Sequence, residues 1–503
     1  MSALALALAA ALTATPDVPS AVQEALVDAD STTHLTLTLD PPAQYVATPR
    51  PKRLRAAAEI GTFLALDWSL MLFTPPPVAD PPGNVSVWTK LSLKGVTFDV
   101  SAFATNFGLH PLGGTLYYGT ARSNHVSAFE AFAWVTAAST LWELAEYPEN
   151  FSINDELVTP VAGAALGETM YQLASRLDRG PQSLPSTVLS WVLAPMKKID
   201  DALDGIEPER GPPDGQLEVH QRIATGAARG ASGWSPDVQL ALDTRLIRDV
   251  MYGHPGHELR LELDGGATEL SLSAASSRLG LEDFQLGARA WFATLYHRDL
   301  GVGLDGALHG HDVLLGAGPG YAVRLHDWSD AIRRPLDTYT AVHIPGVFGE
   351  VRSFMGPLVL SARLDAALSF GGTRSLVLDR DASAVPYDTL PTPQRAWGYY
   401  FGIGPTFAPT LAARLGPATL AATAHYDAFN GIMSRDVWPG RHPSAQLSDS
   451  LSGAGARLSW LLPWANLELT ALAERLVRSG VADGTSMTAA ETRVSLGLGM
   501  LTF

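Results

Sequence analysis

Polar and apolar residues alternate along many short segments in the second half of the chain. In segment 258–264, Leu259, Leu261 and Leu263 share one phase and charged residues fill the other. Segment 358–368 repeats this pattern, with Arg363 and Asp365 in the polar phase. A period of two predicts strands with one apolar and one polar face. The same period occurs in four further segments: 238–243, 269–273, 420–427 and 466–470.

Strands of about 9–11 residues, separated by Gly-, Pro- and Asp-rich turns, are typical of transmembrane barrels with a wet interior. We therefore predict an antiparallel transmembrane β-barrel of about 12 strands, with a range of about 10–14. A large soluble β-sandwich or propeller would alternate as well. The barrel is favoured by aromatic residues near the predicted strand ends, which would form interface girdles: Trp291, Phe292, Tyr296, Trp397, Tyr399, Tyr400, Phe401, Trp460 and Trp464.

The final segment, 496–503, ends in Phe503. A terminal aromatic residue on the closing strand is the usual handle for the barrel-assembly machinery, so we expect that machinery to be a partner. Every second residue before Phe503 would share its strand face, and these residues form only a weak lipid-facing row. The other phase, which contains Val494, Leu496 and Leu498, is more apolar. A bulge or a short slip near the end would reconcile the two phases.

The first half of the chain has helical periodicity instead. It predicts helices over 52–73, 126–146, 159–178 and 186–203, and the Pro- and Gly-rich segment 206–214 marks a boundary. The fold class is therefore α+β. A helical domain at 49–205 precedes a barrel at 206–503. In addition, 1–14 resembles a signal peptide and 15–48 is interpreted as a linker.

Two of these helices have informative details. Segment 126–146 is apolar enough to suggest a membrane span, but Glu130 and Glu143 argue against it, and we expect a buried helix. In the next helix, Thr159 is a candidate N-cap before Pro160. Gly180 is a candidate C-cap, and the glycines at 163 and 167 offer a smooth face for another helix.

Composition narrows the possible functions. The net charge of −16 argues against nucleic acid as a partner. The absence of cysteine excludes disulfides, thiolate metal sites, a cysteine nucleophile and a lipoprotein anchor. It also suits a protein that folds in an oxidising periplasm. No motif in the sequence implies a cofactor.

An ordered series of polar motifs stands out in the helical half. It contains His110-Pro-x-Gly-Gly, Tyr117-Tyr with Ala-Arg122-x-Asn, Trp-Glu143-x-x-Glu146, Ser-Ile-Asn-Asp155, Thr159-Pro and Gly-Glu168. Over about 85–178 the chain resembles DUF3943, a family of bacterial envelope proteins that is defined by a domain of unknown function. The resemblance implies a helical domain followed by a β-rich region, and it implies no activity.

These polar residues allow several roles. A structural network would pair Arg122 with Glu143 or Glu146, while Asn154 and Asp155 cap backbone amides, because buried carboxylates need partners. A catalytic acid–base or metal site would use candidates from the set His110, Arg122, Glu143, Glu146, Asp155 and Glu168. A metal would involve His110, Glu143 and Glu146, and one His with carboxylates suits Mg²⁺, Ca²⁺ or iron. A groove for a lipid or a peptide is the third interpretation.

Three functions remain open at this stage. The first is an outer-membrane barrel with a transport or structural role, whose helical domain is periplasmic or plugs the barrel. It predicts that Arg260, Glu262, Arg363 and Asp365 line a cavity. The second is an outer-membrane hydrolase of lipid or cell-wall material, so the sequence leaves open whether the protein is an enzyme. The third is a soluble periplasmic binding protein. Expected partners are outer-membrane lipid and a small-molecule or lipid ligand.

Overall fold

The structure of the protein is a computed structural model. It describes residues 50–73, 86–92, 96–146, 150–180, 183–206, 215–230, 233–249, 251–277, 280–328, 336–432 and 445–502. The signal-like segment 1–14, the whole linker 15–48 and Phe503 lie outside the described residues. The predictions made for those three segments therefore concern residues that the structure does not describe.

Helices fill the first part of the described chain. They are α1 (Arg53–Phe73), α2 (Val87–Leu91), α3 (His110–Ser123), α4 (Ala128–Ala145), α5 (Ile153–Arg179), α6 (Leu184–Leu193) and α7 (Pro195–Asp204). A π-helical turn, Thr105–Leu109, leads into α3, and two short parallel strands, β1 (Val96–Thr97) and β2 (Phe151–Ser152), pair beside α4. None of the described helices combines the length and hydropathy that a membrane crossing requires.

Strands fill the rest. They are β3 (Gln216–Gly230), β4 (Gly233–Ile247), β5 (Gly256–Glu262), β6 (Ala267–Ser277), β7 (Gly280–Trp291), β8 (Ala293–Val302), β9 (Leu308–His326), β10 (Asp337–Met355), β11 (Leu358–Thr373), β12 (Tyr400–Leu415), β13 (Ala418–Gly431), β14 (Leu447–Leu462), β15 (Leu467–Ala482) and β16 (Thr485–Thr502). Two short helices, α8 (Leu376–Arg380) and α9 (Thr392–Trp397), lie between β11 and β12.

The strands close into a ring. Strand β16 pairs with β3, and β10 pairs with both β9 and β11, so no free edge interrupts the circuit of described strands. Segments β5 and β6 follow one another along a single strand, as do β7 and β8, which makes a closed antiparallel barrel of 12 strands. The predicted barrel and its strand number are therefore confirmed.

The two strand faces differ as the alternation predicts. On β11, Leu360, Leu364 and Leu368 point outward and are 42–49% exposed, whereas Arg363 and Asp365 point into the lumen. Similar outward leucines on β12 and β16 form an apolar belt, represented by Leu411 and Leu496. A surface of this kind suits lipid. On β16 the outward row is Val494, Leu496 and Leu498, and the pairing of its described residues shows no bulge or register shift.

The predicted aromatic girdle is mostly wrong. Trp460 and Trp464 are exposed, in agreement with a girdle. Trp291 and Tyr296 instead lie in a buried cluster inside the barrel, and Phe292 packs against helices. Aromatic residues near strand ends serve lumen, lipid and helix contacts equally well, so their position along the chain did not separate these roles.

The helical part is built around α5. Gly163 lies so close to Gly114 of α3 that an added Cβ would sit 2.5 Å from the Gly114 backbone, and a Cβ on Gly167 would meet Tyr118 at 2.8 Å. The smooth face predicted from the two glycines is therefore used, and the C-cap at Gly180 is confirmed. The predicted N-cap is wrong, since α5 begins at Ile153 after Ser152 and carries Pro160 inside the helix.

Two other helix predictions need correction. Segment 186–203 is two helices, α6 and α7, because Pro195 lacks an N–H and its predecessor Ala194 has non-helical backbone angles of φ −141° and ψ 69°. Helix α4 is not buried all round, since Phe129 and Leu141 are more than half exposed.

Helix α5 lies against the outside of the barrel. Its side chains share one core with outward residues of β3, β6, β7, β9, β10 and β11, among them Val219, Leu270, Ala288, Val342 and Phe370. The residues that alternate with these point into the lumen. The contacts of α5 therefore lie on the outer strand face and not in the lumen.

Candidate functional site

The barrel encloses a cavity of about 720 Å³. Its lining comes mainly from the inward residues of β3, β4, β6, β7 and β9–β14. The polar and charged lining residues include His220, Asp243, Arg289, His343, Asp427 and Arg457. A volume in this range suits a small organic molecule or several waters.

Some ion pairs cross the lumen, and others join residues of one strand, as Arg363 also does with Asp365. Arg363 of β11 donates two hydrogen bonds of 2.6 Å to Glu269 of β6. Arg245 of β4 donates at 2.6 Å to Glu350 of β10. Because these strands are not neighbours in the ring, the pairs connect separate parts of the barrel wall.

We name the two ends of the barrel by their connections. The terminal rim is the end where β3 begins at Gln216 and β16 ends at Thr502. The loop rim is the opposite end, which carries residues 374–399 between β11 and β12. Chain segments fold inward at both rims.

At the terminal rim, the segment after β4 brings Tyr252 inside. Its ring lies 5.2 Å from that of Tyr296 between centroids, and the Arg352 guanidinium lies 4.0 Å above it. The rings of Trp291 and Phe348 lie beside them, with centroids 4.6 Å apart and planes tilted by 34°. This cluster of aromatic rings and arginine narrows the lumen below the cavity.

At the loop rim, residues 374–399 pack inward against β14, β15 and β16 through Val377, Leu378 and other apolar residues. Arg478, 1% exposed, fixes the start of this loop. It forms ion pairs with Asp449 at 2.8 Å and Asp337 at 3.1 Å and donates to the carbonyl oxygen of Arg374 at 2.8 Å. The loop therefore narrows this mouth and has a buried anchor.

Of the four residues predicted from sequence to line the lumen, two line a cavity and two do not. Arg363 lines the main cavity and Asp365 lines a smaller adjacent one. Arg260 and Glu262 line neither cavity. Most cavity residues, such as His343 and Arg457, were not singled out from sequence, although they occupy the polar phase of β10 and β14 that the alternation could have identified.

Among the residues predicted in the helical domain, Arg122 and Glu168 form one buried network. Their closest nitrogen–oxygen distance is 2.8 Å. Glu168 also accepts from the hydroxyl of Tyr118 at 2.8 Å and from the amide of Gln172 at 2.6 Å. Burial opposes the charge on Arg122, but Glu168, Tyr118, Tyr171 and Asp264 together raise the arginine pKa above its ordinary value.

The same network reaches the barrel. Arg122 donates to Asp264 at 3.0 Å, and the backbone N–H of Ala128 donates to the same oxygen at 2.6 Å. Asp264 follows β5, where alternation placed it in the polar, lumen-facing phase. The strand breaks at Gly265, with φ +75°, and Asp264 instead bonds to the helices. The predicted partners of Arg122, Glu143 and Glu146, are therefore wrong.

His110 and Asp155 form a second group. The His110 Nε2 lies 3.6 Å from an Asp155 oxygen, and Asn154 donates to Asp155 at 2.8 Å. Asn154 itself accepts from the backbone N–H of Asp99 at 2.7 Å, so its predicted backbone contact is present. Burial lowers the pKa of His110, although Asp99 opposes this effect, and burial raises the pKa of Asp155.

Glu143 and Glu146 belong to a third group. One oxygen of Glu143 accepts from the backbone N–H of Ser152 at 2.6 Å. The carbonyl oxygens of both residues accept from Lys90, at 2.6 Å for Glu146. Burial, with Asp155 and Glu146 nearby, raises the pKa of Glu143 well above its ordinary value.

The six candidate residues are thus distributed over three groups. None of them lines the cavities described above, and among the described residues no group of three or more His, Asp or Glu side chains could hold a metal ion. His309 and His311 lie on the outer strand face, whereas their neighbour Asp312 points inward to Arg352, so these three residues do not form one site.

Residues 95–196 match the family model described as "Domain of unknown function (DUF3943)". This match confirms the resemblance inferred from the motifs. The match lies within the helical part and ends before the barrel. No curated protein matched the sequence.

Solved barrels are similar in architecture. The "TodX monoaromatic hydrocarbon channel deltaS2 mutant" is 9% identical, with 58% of this chain and 91% of that chain covered at a TM-score of 0.26. The "COG4313 outer membrane channel from Pseudomonas putida F1" is 12% identical, with 58% and 97% covered at 0.23. The "KdgM porin" is 10% identical, with 57% and 99% covered at 0.22. Values this low carry no argument about substrate, and the barrel fold rests on the strand pairing.

Proposed function

We propose that the protein is an outer-membrane channel that passes small polar solutes through the lumen of its barrel. The observation that carries the proposal is the closed 12-strand ring around a polar cavity of about 720 Å³. A purely structural barrel would have no need for this unfilled volume between its ion pairs. The outward apolar belt supplies the lipid contact that an outer-membrane location requires.

The lining favours solutes without a large net charge. Arginines and carboxylates both face the cavity, and several are already paired across it, as Arg363 is with Glu269. A lumen with both signs does not attract one ion type over the other at long range. We therefore propose neutral or zwitterionic small molecules, which can exchange hydrogen bonds with both kinds of group.

A solute can cross the barrel only if the lumen opens at both rims. The loop 374–399 and the Tyr252 cluster each narrow one mouth, so we propose that the loop is the movable part. It is a long connection with short helices, whereas Tyr252 is held between Tyr296 and Arg352. Long loops usually face the exterior in outer-membrane barrels and short turns face the periplasm. The terminal rim would then be periplasmic.

The proposal also includes the domain bounds, the export signal and the assembly contact. Residues 49–205 and 206–503 would be the two functional units, and 1–14 would direct export. Phe503 would be recognised by the barrel-assembly machinery. The enzyme alternative ranks lower, because its candidate residues are distributed over three buried groups and open into none of the described cavities.

Filling the cavity tests the proposal. Ala408 lines it, and Ala408→Trp should block it, whereas Leu411→Trp adds the same side chain to the outer belt, where Leu411 is exposed. We expect proteoliposomes with the unaltered chain to take up small zwitterions, and Ala408→Trp to reduce the uptake several-fold. Equal uptake by both variants, or no uptake by folded unaltered protein, would refute a lumen pathway.

A further inference from the structure

The surface of the helical part is unusual for a domain in water. In the described ranges 96–146, 150–180 and 183–206, no Asp, Glu, Lys, Arg or His side chain is exposed. The exposed positions are apolar or small, apart from Ser127. Water-facing surfaces normally carry roughly 25–35% charged residues. This surface therefore suits an apolar environment.

Helix α4 shows the pattern within one element. Phe129, Ala133, Ala137, Leu141 and Ala145 are exposed and recur every four residues, so they form one stripe. The opposite face is buried. Helices α6 and α7 continue the surface with exposed apolar residues that include Leu184, Val188, Trp191, Ile199 and Leu203.

Polar groups of the same helices are turned inward and paired. Arg122 is held by Glu168 and Asp264. At the end of α5, Asp178 forms ion pairs with Lys197 and Lys198. Charged side chains in lipid are tolerated when they face the protein interior and pair with one another. The described residues of α3–α7 meet that requirement, because none of their charged side chains is exposed.

The apolar surface is continuous with the belt of the barrel. Helix α5 covers outward residues of β7, β9 and β10, such as Ala288, Tyr321 and Val342. Next to this covered strip, Val347 and Leu364 on the same strand face stay exposed. The helices therefore lie on a strand face whose uncovered parts contact lipid, and their own outer surface extends it.

We propose that the outer surface of helices α3–α7 contacts the acyl chains of the membrane lipid around the barrel. The helical part is then a lipid-facing collar fixed to one side of the barrel and not a separate aqueous domain. The proposal needs the barrel to lie in a membrane, but it does not depend on transport.

The absence of cysteine makes a direct test possible, since each introduced cysteine is unique. Leu141→Cys on α4 and Val188→Cys on α6 report on the collar. Leu364→Cys reports on the lipid belt, and Leu304→Cys reports on water at the terminal rim. Each variant is spin-labelled in vesicles of phosphatidylethanolamine and phosphatidylglycerol, and collisions with oxygen and with a water-soluble nickel chelate are compared.

We expect the labels at 141 and 188 to match the label at 364, with high oxygen and low nickel accessibility. Nickel accessibility like that at 304 would overturn the proposal and place the helices in the aqueous periplasm. Low accessibility to both reagents would also overturn it, because another protein would then cover the surface. Only labelled chains that show heat-modifiable gel mobility are compared, and Ala137→Cys and Leu203→Cys replace any variant that fails to fold.

Discussion

Arg122 joins three parts of the molecule at the scale of single residues. It lies on α3, pairs with Glu168 on α5 and reaches Asp264 beside the barrel. The sequence made Arg122 a network residue because a buried arginine needs carboxylates. It could not identify the partners, since Asp264 is 142 positions away and its strand pattern predicted a different direction.

Arg122→Ala should destabilise the protein by about 3–5 kcal/mol, because it leaves Glu168 as a buried charge without its cation. Arg53→Ala is the matched control. Its pair with Glu130 is largely exposed, so its loss should change stability by about 0–1 kcal/mol. Urea unfolding in detergent micelles, followed by tryptophan fluorescence, measures both. Equal effects of the two substitutions would mean that the Arg122 network does not hold the fold together.

Glu143 gives a prediction for pH dependence. Its pKa in the folded state is raised, chiefly by burial, so the folded state binds a proton more tightly than the unfolded state. The stability contribution is present below the unfolded pKa of about 4.3 and is lost as the pH rises through the folded pKa. Glu143→Gln removes this loss, so the variant should gain stability relative to the unaltered chain as the pH rises.

Thermal unfolding at several pH values between about 4 and 9 measures that gain. Between the unfolded and the folded pKa of Glu143, the gain should grow by up to about 1.4 kcal/mol for each pH step of one. Glu130→Gln is the control with the opposite sign, because a hydrogen bond from Arg53 lowers the pKa of Glu130. A constant difference between Glu143→Gln and the unaltered chain over this range would show that folding does not raise the pKa of Glu143.

At the scale of elements, the contact between α3 and α5 depends on glycine. A Cβ on Gly114 would lie 2.0 Å from the carbonyl oxygen of Thr159, whereas a Cβ on the adjacent Gly113 would have nothing within 4 Å. The sequence motif that contains both glycines does not show which of them makes a helix contact. In the structure only Gly114 faces the neighbouring helix.

Gly114→Ala should therefore destabilise the helical part by about 1–3 kcal/mol through overpacking. Gly113→Ala should be neutral or stabilising by up to about 1 kcal/mol, since alanine favours a helix interior. Thermal melting followed by far-ultraviolet circular dichroism compares the two. A Gly113→Ala variant that melts as low as Gly114→Ala would contradict the close approach of α3 and α5.

Local sequence signals predicted elements well where a single cause acts. Alternation predicted the strands, and the glycine spacing predicted a helix contact. The start of α5 was missed because Thr159-Pro160 has the composition of an N-cap and is overridden by the earlier cap at Ser152. The break at Pro195 was missed because the apolar spacing of 186–203 continues across it.

At the scale of the whole molecule, the closed barrel was predictable and the position of the helices was not. An outward apolar face looks the same in sequence whether lipid or a helix covers it. Val342 and Leu364 both have the pattern of lipid-facing residues, yet Val342 is covered by the helical part and Leu364 is exposed. A lumen cavity was likewise predicted from residues such as Arg363, but most of the residues that line it were not predicted.

The channel proposal depends on a lumen that opens past the loop between β11 and β12. The most direct measurement is single-channel conductance of the purified full chain in planar bilayers, beside a variant in which a Gly-Ser linker replaces residues 376–397. We predict discrete conductance steps for the full chain and larger, longer-lived steps for the variant. Folded, heat-modifiable protein that gives no steps in either form would contradict a channel.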